Sequence, residues 1–411
     1  MWKKFAALRL ATLMASPILA TEPPTVNSTQ LSNPNALGSP PDANRFADPF
    51  FAPPDGRPVM EAWRPGSGAS PSESLVPHPE LVRPEHIWFA PDFYHAVGQG
   101  TLLPPLVTSA PNGSGPGAGA LNQPATSILF GGGRTLNRFR PGVRANTGLW
   151  LTDDCRFGID GTFLYLGDAT SAFSGSNSPT GPVLARPVFS GDIGAQAGVP
   201  VDSISARAHS AVIGGDVNFR YGLTTSELGR LDLLVGYRYL NLRDTVDVES
   251  SHNFANTPLL DTAVSDHFRT LNQFHGGQIG LGGTHRLFGR LTLTTKATVA
   301  VGVNVSDVTI GVKTFTATGV SDGGLLTGPG NIGNHRDNYF SVMPEATAKL
   351  GWDFTDRLRV NAGYSGLFWT NVRRAADQID TAIQLRGRPG FPNDSTTYWL
   401  QGWTVGLDLR Y

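Results

Sequence analysis

The chain has 411 residues, a formal net charge of −1, 49 glycines, 31 prolines, a single cysteine and only 16% charged residues. The near-neutral charge gives no reason to expect nucleic acid as a partner, and the lone Cys155 rules out an intramolecular disulfide and a cysteine-rich metal site. No apolar run reaches about 18 residues, which excludes helical membrane spans but not membrane-crossing strands, whose alternation dilutes the apolar residues.

Met1 to about Ala20 carries Lys3 and Lys4 ahead of an apolar stretch, the pattern of a secretory signal peptide over 1–20. Residues 21–83 are dense in Pro, Ser, Asn and Gly with neither helical nor strand periodicity, and read as a disordered, flexible periplasmic segment. Regular pattern begins near residue 84 and continues to residue 411.

From there the sequence offers ten candidate strands. His86 to Val97 is aromatic-rich and ends at Gly98. Gly142 to Leu151 alternates, Asp153-Asp154 turn the chain, and Cys155 to Leu166 returns with Phe157, Ile159, Phe163 and Tyr165 on one face, a parity that Cys155 shares. Ile213, Val217, Phe219 and Tyr221 form the apolar face of the fourth strand, and Leu231, Val235, Tyr237 and Tyr239 that of the fifth. The sixth, about 268–284, is glycine-rich and alternates weakly, whereas the seventh sets Leu291, Leu293, Val299, Val301 and Val303 against Thr292, Lys296, Thr298 and Asn304. Phe340 to Phe354 and Leu358 to Phe368 make the eighth and ninth. Trp399 to Tyr411 closes the series, with Trp399, Trp403, Val405, Leu407 and Tyr411 on one face. Aromatics at both ends of an apolar face suit a lipid-facing strand with interfacial girdles.

Connections alternate in length. Short turns fall at about 152–155, 222–229, 286–290 and 354–357, and long loops at about 99–140, 168–204, 247–265, 311–338 and 373–397. Sorting of loop length by parity is the asymmetry of an outer-membrane barrel. The expectation is therefore all-β: a single antiparallel transmembrane β-barrel of about ten strands in the bacterial outer membrane, in contact with its lipid and with the assembly machinery that inserts it. Twelve strands are the alternative, the extra pair coming from 125–131 and 182–190.

The polar parity of these strands collects Arg144, Asp160, Asp216, Arg220, Asp232, Arg238, Lys296, Glu345, Lys349, Arg359, Asp408 and Arg410, together with Arg156 and Asp353. Both signs interleave, as in a lumen filled by ion pairs or a pore lining with weak selectivity. Glycines at inward positions, among them Gly148, Gly302, Gly402 and Gly406, either open a narrow path or relieve crowding. In the last loop, Asp377 and Asp380 with Arg373 and Arg374 read as a self-contained salt-bridged cluster. The histidines lack metal-ligand spacing, no motif supports catalysis by His275 and Ser341, and no cofactor is expected.

A series of short segments runs in order along the patterned part of the chain, beginning with Leu103-Pro104-Pro105-Leu106-Val107-Thr108, Ile128-Leu129-Phe130-Gly131-Gly132 and Leu149-Trp150-Leu151-Thr152-Asp153-Asp154-Cys155. Leu184-Ala185-Arg186-Pro187-Val188-Phe189, Phe274-His275-Gly276-Gly277-Gln278-Ile279-Gly280 and Asp377-Gln378-Ile379-Asp380 continue it. Together these segments resemble the putative beta barrel porin-7 family of bacterial outer-membrane proteins. Before the last run the family pattern suggests Pro-Gly where this chain has Ala375-Ala376, so that loop is expected to be shaped differently. The resemblance implies location and architecture. Two functions stand as expectations: porin-like passive passage of small solutes, or a plugged barrel that displays long external loops for structure or recognition.

Overall fold

Alternation of side chains makes each of these segments a strand, and in lipid a strand is stable only when both of its edges are paired. In a computed structural model, which describes residues 86–252, 262–316, 319–321 and 323–411, ten strands satisfy that condition by closing into a barrel. They are β1 (Ile87–Gly98), β2 (Arg140–Trp150), β3 (Phe157–Ser176), β4 (Ser203–Ser226), β5 (Gly229–His252), β6 (Thr262–Phe288), β7 (Leu291–Thr316), β8 (Gly333–Asp353), β9 (Leu358–Val372) and β10 (Thr396–Arg410). Neighbours in sequence pair antiparallel throughout, and β1 pairs with β10 from Trp88↔Arg410 to Gly98↔Leu400. The signal-peptide and flexible-segment expectations fall on residues 1–83, outside the described residues.

Register fixes the girth. Stepping strand to strand from Gly229 through His285, Leu293, Leu350, Ala362, Val405, Phe93, Val143, Tyr165 and Ile213 returns to β5 at Asn241, 12 residues further along (241 − 229). A stagger of that size on ten strands gives a tilt of about 40° and a backbone radius of about 10 Å.

The strands outrun the membrane. A crossing needs about 9–11 residues, yet β4 and β5 have 24 each, β6 has 27 and β7 has 26. The sense of their amphipathicity inverts along the way. Near the short turns β5 points Val235 and Tyr237 outward and Asp232 and Arg238 inward; higher up, Val246 and Val248 are buried inside while Glu249 is exposed. The ranges 168–204 and 247–265 were expected as loops because outward apolar residues stop there. They instead contain strand to Ser176 and to His252, and again from Thr262, because a wall that has left the lipid turns its apolar side inward as a soluble sheet does.

The long loops fold into this tall wall. Residues 127–130 and 183–190, the pair considered for a twelve-strand barrel, are strands outside the barrel: they join 107–110, 195–201 and 382–383 in a separate sheet. That sheet packs Val107, Leu184, Val188 and Val201 against Ile204, Ala206, Ala208, Val246, Val248, Phe268, Val308 and Ile310 of β4–β7. Below it a second apolar layer, including Tyr94, Leu166, Leu240, Phe274, Met343, Trp369 and Tyr398, fills the barrel.

Two outcomes follow from this geometry. Val301→Arg, on the lipid face of β7, should cost about 2–4 kcal/mol in refolding into vesicles, whereas Thr309→Arg, on the same face eight residues higher, should be close to neutral; equal damage at both would place the belt elsewhere. Deletion of Leu407–Tyr411 removes the pairs Phe89↔Leu409 and Trp88↔Arg410 and should abolish the heat-modifiable barrel in outer-membrane fractions. Normal recovery of that truncation would contradict closure by β10.

Candidate functional site

The interior is the candidate site, and the charged residues that the polar parity collects lie at the membrane-embedded end of the strands. Along β4 the inward order from the short-turn end is Arg220, Asp216, Val212 and then Ala208, Ala206 and Ile204; along β7 it is Lys296, Ala300 and then Val308 and Ile310. The lumen is thus stacked as a charged layer, an apolar layer and the loop sheet.

Eight of the expected residues form one connected network. Arg144 of β2 and Arg238 of β5 both grip Glu345 of β8, and Arg238 also holds Asp216 of β4 at 3.1 Å. Lys296 of β7 reaches Asp216 at 2.8 Å and Asp160 of β3 at 3.8 Å. Arg220 joins Asp160 at 3.6 Å to Asp232 at 3.0 Å. Several of these pairs connect strands that are not neighbours in the sheet, so they cross the lumen. Arg359, Asp408 and Arg410 meet near the 354–357 turn, where Asp353 takes Arg359 at 2.7 Å and Arg410 at 3.0 Å, and Asp408 lies 3.9 Å from Arg359. Lys349 pairs with Asp92 of β1.

Asp92 and Arg230, which holds Asp232 at 2.6 Å, are members that the polar parity did not collect. β1 carries aromatic residues on both parities, Trp88 and Tyr94 on one and Phe89 and Phe93 on the other, and this hides its period. Arg230 stands at the strand start with its guanidinium 3.8 Å from the Trp150 ring centroid. Arg156 is corrected the other way: it is exposed in the turn before β3, over the Tyr221 ring at 5.6 Å, not in the lumen. Cys155 is likewise not lipid-facing. It is buried in that turn at φ 52°, and its carbonyl accepts a hydrogen bond from Arg230 Nη2 at 2.9 Å.

The inward glycines relieve crowding. A Cβ at Gly148 would run into the Trp88 ring, and one at Gly402 into Ala96 across the β1–β10 seam. His275 and Ser341 do not meet. His275 is exposed on the outer face with Tyr237 Oη at 2.6 Å, while Ser341 is buried and donates to the Thr370 carbonyl at 2.6 Å. Among the described residues no group of three or more His, Cys, Asp or Glu side chains is placed to hold a metal ion.

At the outer end, arginines from the loops reach into the barrel wall. Arg186 of the loop sheet donates to Asp266 of β6 at 2.5 Å, and Asp266 also accepts from Thr327 Oγ1 at 2.5 Å. Arg374 pairs with Asp244 of β5 and donates to the Gln99 carbonyl at 3.0 Å; Arg373 pairs with Asp337 at 2.7 Å. Asn272 of β6 brackets Arg373, accepting from its N–H at 2.9 Å and donating to its carbonyl at 2.7 Å. The last loop is therefore not a self-contained cluster: Arg373 and Arg374 bind the wall, and Asp380 is held by Arg388 at 2.7 Å. Asp377 is left facing a cavity of about 540 Å³ with Thr381, Phe391 and Asp394 among its lining residues. Burial pushes the Asp377 carboxyl above its ordinary value, against the pull of Arg374 and with the charges of Asp244 and Asp394 adding to it.

No curated protein matches the sequence. Among solved structures, the outer membrane protease OmpT from Escherichia coli is 12% identical, with 80% of this chain and 97% of that one covered and a TM-score of 0.41. The anion-selective porin from Comamonas acidovorans is 10% identical over 79% of this chain and 100% of that one, with a TM-score of 0.18. The family model described as putative beta barrel porin-7 matches residues 88–411, all of the barrel but the first residue of β1, and by that match the chain belongs to this family of bacterial outer-membrane β-barrel proteins.

Proposed function

We propose that this protein is a closed outer-membrane barrel that holds an ordered extracellular platform, with no open channel in its resting state. The observation that carries this reading is the stack inside the barrel. Cross-lumen ion pairs, an apolar layer around Phe274, Met343 and Trp369, and the loop sheet occupy the same bore in succession. A backbone radius of about 10 Å leaves little room once side chains enter from opposite walls. Solute passage, the other expectation, requires the loop sheet to leave its seat, and the two buried pairs Arg186–Asp266 and Arg374–Asp244 oppose that.

Planar-bilayer recording tests it. Folded wild-type protein should be electrically silent, and stable unitary steps would overturn the reading in favour of a porin. Arg186→Ala combined with Arg374→Ala leaves Asp266 and Asp244 buried without their cations, a loss of about 3–5 kcal/mol for each pair. That variant should keep its heat-modifiable barrel, lose protection of residues 183–190 in hydrogen exchange, and show flickering conductance.

A further inference from the structure

Two arginines on the outer face of the barrel have no hydrogen-bonding or ionic partner among the described residues. Above the apolar belt the outward side chains of β5 run Asn241, Arg243, Thr245 and Asp247, and those of β6 run Gln273, Leu271, Arg269 and His267. Asp247 and His267 are hydrogen-bonded to each other. Between that pair and the belt, Arg243 and Arg269 are the only charged side chains pointing outward on the two strands. The nearest acids on the neighbouring wall are engaged: Asp168 of β3 lies 3.1 Å from His209 of β4, and Asp307 of β7, which stands opposite Leu271, lies 3.6 Å from Arg336 of β8.

The two are neighbours across the ladder. Arg243 stands opposite Leu271 and Arg269 opposite Thr245, a diagonal relation that separates their side-chain roots by about 7–8 Å. Arg243 is exposed and Arg269 half-buried. Immediately toward the membrane lie Tyr237, Tyr239 and His275, with Tyr237 Oη and His275 Nδ1 2.6 Å apart, which is the polar upper edge of the belt. The guanidinium groups therefore stand where acyl chains give way to headgroups. A planar guanidinium matches the oxygens of a phosphate with two parallel hydrogen bonds, and two such side chains rooted about 7–8 Å apart can converge on one phosphate from either side. We propose that Arg243 and Arg269 form a binding spot for an outer-leaflet lipid whose headgroup carries phosphate.

The test uses the purified full chain in detergent, titrated with phosphorylated lipid A and with its fully dephosphorylated form and followed by native mass spectrometry. Wild-type protein should retain the phosphorylated lipid at least tenfold more tightly. The double variant Arg243→Gln/Arg269→Gln should lose that preference while its barrel stays heat-modifiable. Arg286→Gln, an exposed arginine at the short-turn end of β6, should leave the preference intact. Equal retention by wild type and double variant would overturn the proposal. So would inorganic phosphate that competes at the same concentration as the lipid, which would mark a free-anion site instead.

Discussion

Everything in this structure depends on the antiparallel seam between β1 and β10, which joins residues about three hundred positions apart in the chain. A sheet edge in hydrocarbon leaves backbone N–H and C=O groups with no water to take them, each at several kcal/mol. Nine ladders without the tenth would leave two such edges. The side chains at the seam are shaped for it. Gly402 lets the backbone approach Ala96, and Gly406 lies against Asp92, the carboxylate that Lys349 draws in from β8. Closure thus sets the bore, and the bore sets what the interior can hold.

Closure also explains why the interior is charged where it is. At membrane depth the wall insulates the lumen from lipid, so alternation sends polar side chains inward, and ten strands bring opposite charges within contact distance. The desolvation of each charge is offset only when every group finds partners. The network goes most of the way by sharing: Glu345 serves two arginines, and Asp216 serves Arg238 and Lys296, while Arg238 Nη1 stays buried without a hydrogen-bond partner among the described residues. Such sharing links non-adjacent strands and resists shear of one wall against the other.

The barrel was legible because lipid enforces a strict period of two. Residues such as Val299, Val301 and Val303 alternate cleanly, and the turns between strands carry the expected residues. The parity also separated Arg144, Asp216, Lys296 and Glu345 from their lipid-facing neighbours, although it could not say which cation meets which carboxylate, since that depends on register across the bore. Legibility failed at aromatic-rich β1, where Phe89, Phe93 and Tyr94 mask the parity of Asp92. It failed again at 127–130 and 183–190, whose strand character is plain but whose partners are set by tertiary packing. Cys155 and Arg156 were misplaced because a turn residue at φ 52° breaks the alternation that a strand would have continued.

The hydrophobic sense of β4–β7 inverts along their length. One alternating strand serves two solvents in succession: odd positions of β5 such as Val235 and Tyr237 meet lipid, and even positions such as Val246 and Val248 later meet the loop sheet. The period of β5 never changes, and its register with β6 runs unbroken from Gly229↔His285 to His252↔Thr262; only the hydrophobic parity switches, close to Leu240 and Leu242. A wall that rises out of the membrane with an apolar inner face needs a cover, because water would otherwise fill the upper bore and meet that face. The strands at 107–110 and 183–190 supply the cover, and buried arginines at its edge, Arg186 and Arg374, find their carboxylates on the wall itself. The plug is therefore a consequence of strand length. Once these strands extend well past the 9–11 residues that a bilayer needs, the loops between them must fold inward and complete the core.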